Sequence, residues 1–165
     1  MTVTDAALPP HCTLRPATPA DAALLARFRV LMFQDMGAPL EDGTEAFWAA
    51  HFAEAVAEGR YRAVIAALDG QAVACAGLMV FPTVPTPGDP SGRRAHVQGV
   101  YTAPEQRGRG LASAVTRAAL RLAQAEGIGS ANLNASVMGA GVYERMGFTP
   151  AKAPEYRLNL REATL

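Results

Sequence analysis

The sequence predicts a mixed α/β layered domain, and three stretches carry the prediction. Val97 to Leu122 reads as a strand, a glycine-rich turn and a helix. Tyr61 to Phe81 reads as a hairpin, with Asp69-Gly70 as a two-residue turn between apolar runs. Between the first strand and that hairpin lie two stretches of helical periodicity. Taken in order, the chain runs β-α-α-β-β-β-(glycine loop)-α-β-α-β, with no internal repeat.

The first ten residues are small and polar with paired prolines, a flexible end; residues 11–165 are expected to form one domain. Cys12 to Ala17 forms a short strand. Thr18 then opens a helix: it can cap, Pro19 suits the first turn, and Asp21 favours the positive end. Leu24, Leu25, Phe28, Leu31 and Met32 share its buried face, and Gly37 and Pro39 stop it. Asp42 or Thr44 opens a second helix. Its broad apolar face carries Phe47, Trp48, His51, Phe52, Ala55 and Val56, and Gly59 ends it. Both arms of the hairpin are continuously apolar, which predicts a sheet covered on both faces.

Pro82 to Arg94 is a long Pro/Gly loop, either an exposed linker or a border of a substrate entrance. His96 to Thr102 is the next strand. Ala103, Pro104 and Glu105 break it, and Gly108 and Gly110 follow. From Gly110 the pattern is helical: Leu111, Val115, Ala118, Ala119 and Leu122 share one face, and Arg117, Arg121 and Gln124 another. Gly127 ends that helix. Ser130 to Ser136 is a strand, Ala140 to Met146 a short helix stopped at Gly147, and Glu155 to Leu160 an alternating last strand suited to an antiparallel partner.

Composition narrows the function. Fifteen basic and fifteen acidic residues balance, so nothing in the charge calls for nucleic acid. No run of about 18 apolar residues suits a membrane span. Cys12 and Cys75 lack metal or redox spacing and read as reduced thiols; with no secretory signal at the start, a cytoplasmic location is expected.

A glycine turn feeding a helix start directs several unpaired N–H groups at one spot and makes an anion site. It is not a P-loop, because no Gly-Lys-Ser/Thr follows. It is a poor dinucleotide fingerprint, because Ser113 stands where a third glycine or alanine belongs. Arg107, Gly110 and Ala112 instead follow an Arg/Gln-x-x-Gly-x-Gly/Ala pattern. Downstream, Tyr143, Glu144, Arg145, Met146, Gly147 and Phe148 follow Tyr-Glu-Lys/Arg-x-Gly-Phe.

With these two motifs at this separation, the chain from about Thr13 to Leu160 resembles the GCN5-related N-acetyltransferase (GNAT) family. The resemblance implies a mixed, mostly antiparallel central sheet flanked by helices, and acetyl-CoA as co-substrate without a metal. It implies that the backbone of Val100, Tyr101 and Thr102 holds the pantetheine arm. The amides of Arg107, Gly108, Arg109, Gly110, Leu111 and Ala112, with Ser113, would bind the pyrophosphate. It places Tyr143 near the thioester sulfur, as the acid that protonates the leaving thiolate. Ser136 stands where many members have an asparagine on the pantetheine arm, and a serine reaches less far.

Amine attack on a thioester needs a held cofactor, an oxyanion donor, a base for the amine and an acid for the thiolate. Strand amides can polarise the carbonyl. A tyrosine with an ordinary pKa near ~10 is protonated at pH 7 and can donate. The base is open. Gln98 stands where the family often has glutamate. His96, two residues earlier on the same face, Glu54 and His51 are candidates; a water relay or an amine already deprotonated needs no side chain. The strand gap beside Val100 would let the acetyl group sit near Asn134 and Tyr143; the expected acceptor is a primary amine of a small molecule or peptide. A homodimer through a terminal strand edge is open. Alternatives are a non-catalytic acyl-CoA sensor and a nucleotide-phosphate protein.

Overall fold

The computed structural model describes residues 8–136, 139–152 and 155–162. Five strands form one sheet in the order β1 (Cys12–Pro16), β2 (Tyr61–Leu68), β3 (Gln71–Pro82), β4 (Arg93–Thr102) and β5 (Ala131–Leu133). The first four pair antiparallel, and β5 joins β4 in parallel. The mixed, mostly antiparallel sheet is thus present. At the hairpin tip Asp69 and Gly70 both have positive φ, which gives the turn its tight right-handed match to the strands.

Helices cover both faces. On one lie α1 (Ala22–Asp35) and α2 (Thr44–Ala57), packed on Tyr61, Ala63, Ile65, Cys75 and Tyr101. On the other lies α3 (Leu111–Ala125), where Leu111, Val115, Ala119 and Ala123 pack on Val64, Ala66, Ala76, Leu78 and Val97. Alternate residues of β2 feed opposite cores, as the continuous apolar hairpin requires. Thr18 to Asp21 form a tight turn before α1. The Asp21 carboxylate accepts from the Thr18 N–H at 2.8 Å and from both ends of the Arg15 guanidinium, at 2.8 and 2.6 Å. That fork and the Thr18 bonds hold the Asp21 carboxyl well below the usual carboxylate range.

Several expectations are corrected. Glu155 to Leu160 forms no strand: Tyr156, Leu158 and Leu160 are 90%, 64% and 72% exposed. Period-two alternation specifies a strand only where a partner edge and a core receive it, and neither meets this segment. The buried face of α3 is turned toward Thr116 and Ala123, leaving Ala118 and Leu122 half-buried, because the helix lies across β2 and β3. On α2 only Phe52 and Ala55 are buried, while His51 is exposed and Phe47 is 71% exposed. One face of α2 can contact α1 and β2 at once, and Phe47 and His51 lie beyond it. The β5 strand is three residues long, shorter than Ser130 to Ser136. Residues 1–7 of the expected loose end lie outside the described residues.

The sheet is tightest where Tyr61 crosses Gly77. A Cβ on Gly77 would stand 1.7 Å from the Tyr61 hydroxyl oxygen and 2.2 Å from its ring carbon Cζ. Tyr61 is 3% exposed and has nowhere to swing. Gly77→Ala should therefore cost about 1–3 kcal/mol of stability. Thermal denaturation should show the melting temperature lowered by about 2–4 °C per kcal/mol; an unchanged melting temperature would refute the packing.

Candidate active site

The site begins at an irregularity in β4. Cys75 pairs with Tyr101 and Gly77 with Gln98, so Ala76 alone faces the two residues Gly99 and Val100. This is a β-bulge, and Gly99 takes φ +62°, which favours glycine. The bulge reverses the strand's facing. Before it, Ala95 and Val97 point to the α3 core; after it, Tyr101 points to α1 and lies 5.1 Å from the Phe28 ring. In a regular strand Val97 and Tyr101 would share a face. The ladder to β5 covers only Ala95 to Val97. From Gln98 to Thr102 the outer edge of β4 has no strand partner among the described residues, so the sheet opens there.

Just beyond that opening the chain turns into α3. A short 3-10 turn (Pro104–Gln106) ends β4, and the Arg107 N–H donates to the Pro104 carbonyl at 3.3 Å. Gly108 and Gly110 both adopt the left-handed conformation, at φ +75° and +77°. Among the described residues no carbonyl or side chain accepts from the N–H groups of Gly108, Arg109 or Gly110. The first-turn amides of Leu111, Ala112 and Ser113 lack intrahelical acceptors by geometry. Six consecutive donors thus collect at the positive end of a 15-residue helix. Arg107 contributes its side chain differently. Its guanidinium pairs with Asp35 at the end of α1, and its Nε donates to the Thr102 carbonyl at 3.1 Å, tying the turn to both elements. Among the described residues the buried Thr102 hydroxyl, beside the same opening, has no partner.

The remaining predicted residues lie at the start and body of α4 (Ala140–Arg145). Ser136 caps its entry, its hydroxyl oxygen accepting from the Gly139 N–H at 3.1 Å. A Cβ on Gly139 would meet both the Ser136 hydroxyl, at 3.1 Å, and the Tyr143 ring, at 3.4 Å, so the fold brings Ser136 and Tyr143 together. The Tyr143 ring stands edge-on to Phe148 at 5.9 Å, and Phe148 packs on the α3-side core. Burial raises the Tyr143 phenol above the ordinary tyrosine value and keeps it protonated at neutral pH.

The base candidates separate. The bulge lies beyond both His96 and Gln98, so the two keep one face, opposite Val97. The His96 Nδ1 is 3.1 Å from the Asn132 Oδ1 on β5. On α2, Glu54 pairs with Arg60 at 3.7 Å and His51 is exposed. The Pro/Gly loop is tied down: Asp89 accepts from the hydroxyls of Ser91 at 2.6 Å and Ser130 at 2.7 Å, which fastens it to the start of β5. A shallow groove lined by Arg117, Leu120, Gln124, Ile128 and Met146 lies along the far half of α3, away from the glycine turn.

Sequence reasoning missed two residues beneath the bulge. The Tyr61 hydroxyl reaches Gly99 as well as Gly77, 3.2 Å from where a Gly99 Cβ would stand. The Cys75 thiol donates to the Gly99 carbonyl at 3.3 Å. Burial raises the Tyr61 phenol strongly and pushes the Cys75 thiol up to about 12. The paired glycines at 77 and 99 were the available signal, since close approach of a ring needs them.

A bulged strand whose ladder to its parallel neighbour stops short of the bulge, beside a glycine turn that leads amides into a helix start, is the layout of an acyltransferase. The chain belongs to the acetyltransferase (GNAT) family, whose model matches residues 27–148. Among solved structures it is similar to a predicted acetyltransferase with acetyl-CoA from Clostridium acetobutylicum. That match has 26% identity, 92% of this chain and 98% of that one covered, and a TM-score of 0.83. It is also similar to a GCN5-related N-acetyltransferase from Ralstonia eutropha, with 29% identity, 89% and 98% covered and a TM-score of 0.74. A glucosamine-6-phosphate N-acetyltransferase from Arabidopsis thaliana, at 16% identity with 89% and 97% covered and a TM-score of 0.68, shares the fold. No curated protein matches the chain.

The two thiols should differ sharply. Burial raises both, but Cys75 is fully enclosed and Cys12 is only half-buried. A disulfide reagent at pH 8 should label Cys12 and leave Cys75 untouched until denaturant is added. Raising the pH to 9 should speed Cys12 only, because the thiolate is the attacking form. Equal labelling of both in the folded protein would refute the enclosure.

Proposed function

We propose that the protein transfers an acetyl group from acetyl-CoA to a primary amine of a small molecule or peptide. The observation that carries this reading is the row of amides from Gly108 into α3 that have no acceptor among the described residues, at the end of a strand edge that has no strand partner among them. A diphosphate matches that cradle in charge and in its demand for several N–H donors. The backbone of Val100, Tyr101 and Thr102 then lines the pantetheine arm, which is extended and can pair with a free strand edge. The Ser136 hydroxyl, with its proton still available, lies beyond.

In the reaction the amine nitrogen attacks the acetyl carbonyl and the C–S bond breaks. The β4 amides at the bulge stabilise the charge that develops on oxygen. Tyr143 donates its phenolic proton to the departing sulfur, and solvent takes the proton lost by nitrogen. Gln98 cannot accept that proton, and this reading gives no side chain the role of base. The amine therefore enters deprotonated, and turnover rises with pH toward the amine's own pKa. This reading gives no step to a metal. Two free thiols support a reducing compartment such as the cytoplasm.

Acetyl-CoA at a hundredfold over its dissociation constant should add about 2.7 kcal/mol of stability, an upward shift of about 5–10 °C in melting temperature. No shift at millimolar acetyl-CoA would remove the reading. Tyr143→Phe should keep that shift and lower kcat about a hundredfold; unchanged kcat would remove the acid role alone. Acetyl-CoA bound and never consumed with a broad amine panel would favour the acyl-CoA sensor, for which Gln98 speaks.

A further inference from the structure

Tyr61 carries a hydroxyl for which neither the packing nor the reaction described above has a use. Its ring lies in the core under α1 and α2, 4.9 Å from the Phe52 ring, and the residue is buried. Phenylalanine would fill that space without a polar atom. The hydroxyl makes no hydrogen bond among the described residues. The Gly99 carbonyl beside it already accepts from the Cys75 thiol. A hydroxyl taken out of water without a partner is costly, and folded proteins seldom keep one that has no task.

Two strand glycines make room for this oxygen. A Cβ on Gly77 would stand 1.7 Å from it, and one on Gly99 would stand 3.2 Å away. Glycine inside a strand weakens the strand and marks a place where another group comes close. Gly99 belongs to the bulge, in the stretch of β4 beyond the end of its ladder to β5. The phenol therefore starts on β2, crosses Gly77 of β3 and ends at the β4 backbone where the sheet opens. Phe52 on one side and Gly77 on the other leave the ring one position, so the oxygen is held ready rather than free to reorganise. Burial raises the phenol strongly, and it keeps its proton across the neutral and mildly alkaline range.

Resting on the acetyl-transfer reading above, we infer that the Tyr61 hydroxyl is a catalytic hydrogen-bond donor, which joins the β4 amides at the bulge in binding the acetyl oxygen as charge develops on it. The oxyanion is the strongest acceptor that the reaction creates, and a neutral phenol donates more readily than it accepts. The strand amides meet this oxygen along the sheet edge, and the phenol meets it from the α1–α2 core. No proton changes hands: the O–H bond stays intact, and Tyr143 remains the acid for the sulfur.

Tyr61→Phe tests this, because it removes one oxygen and keeps the ring that packs on Phe52. The variant should retain the thermal shift induced by acetyl-CoA. With the best amine that the wild type acetylates from a broad panel, it should lose about a hundredfold in kcat, the usual loss for one oxyanion donor. The factor should be constant across about pH 6–9, since the donor is protonated throughout. A purely structural role would leave the carbonyl spectrum alone. Isotope-edited infrared spectra of acetyl-CoA labelled with carbon-13 at the carbonyl should show the bound band below its position in water for the wild type, and part of that displacement lost in Tyr61→Phe. An unchanged kcat, the same bound carbonyl band in both proteins, a loss confined to one end of the pH range, or loss of the thermal shift in the variant would each overturn the inference. A wild type that neither responds to acetyl-CoA nor acetylates any amine would instead strike the acetyl-transfer reading.

Discussion

One extra residue in β4 governs the geometry of this protein. At Gly99 and Val100 the strand carries two residues against one on β3, and every later side chain changes sides. Tyr101 is thereby turned onto Phe28 of α1, and pairing with β5 stops at Val97. The irregularity survives because three neighbours are fitted to it. Gly99 accepts a left-handed backbone, the Cys75 thiol donates to the Gly99 carbonyl, and the Tyr61 hydroxyl fills the space that a side chain on Gly77 would need. Bulges beside active sites commonly re-aim a strand in this way. Here the re-aimed strand exposes backbone donors on one edge and seals an aromatic floor beneath them.

The amide cradle depends on that strand for its position. Arg107 is the coupling piece: it reaches the Thr102 carbonyl at the end of β4 and Asp35 at the end of α1. The glycines supply backbone freedom, and the arginine supplies placement. A motif read only as a phosphate grip is therefore also a three-way joint between strand, turn and the first helix.

The legible parts of the molecule were those set by local chemistry. Asp69-Gly70 and the glycine pair at 108 and 110 each carry their cause within a few residues. The parts that were not legible depend on distant partners. The bulge is fitted by Tyr61 and Gly77 from two other strands, and the glycines at 77 and 99 signal a close approach without saying what approaches. The alternating segment from Glu155 to Leu160 has the composition of a strand and no edge to join. Phe47 and His51 have the spacing of a buried face, yet α2 can turn only part of its apolar arc inward.

Asp89 has a wider consequence for how β5 keeps its place. A ladder of three residues offers too few hydrogen bonds to define its own alignment, and a slip by one would invert its side chains. The carboxylate that clasps Ser91 and Ser130 does the aligning from outside, fastening the strand at its origin as a pin fastens a hinge leaf. The place of β5 beside β4 is therefore held in part by a proline-rich segment that lies outside the sheet.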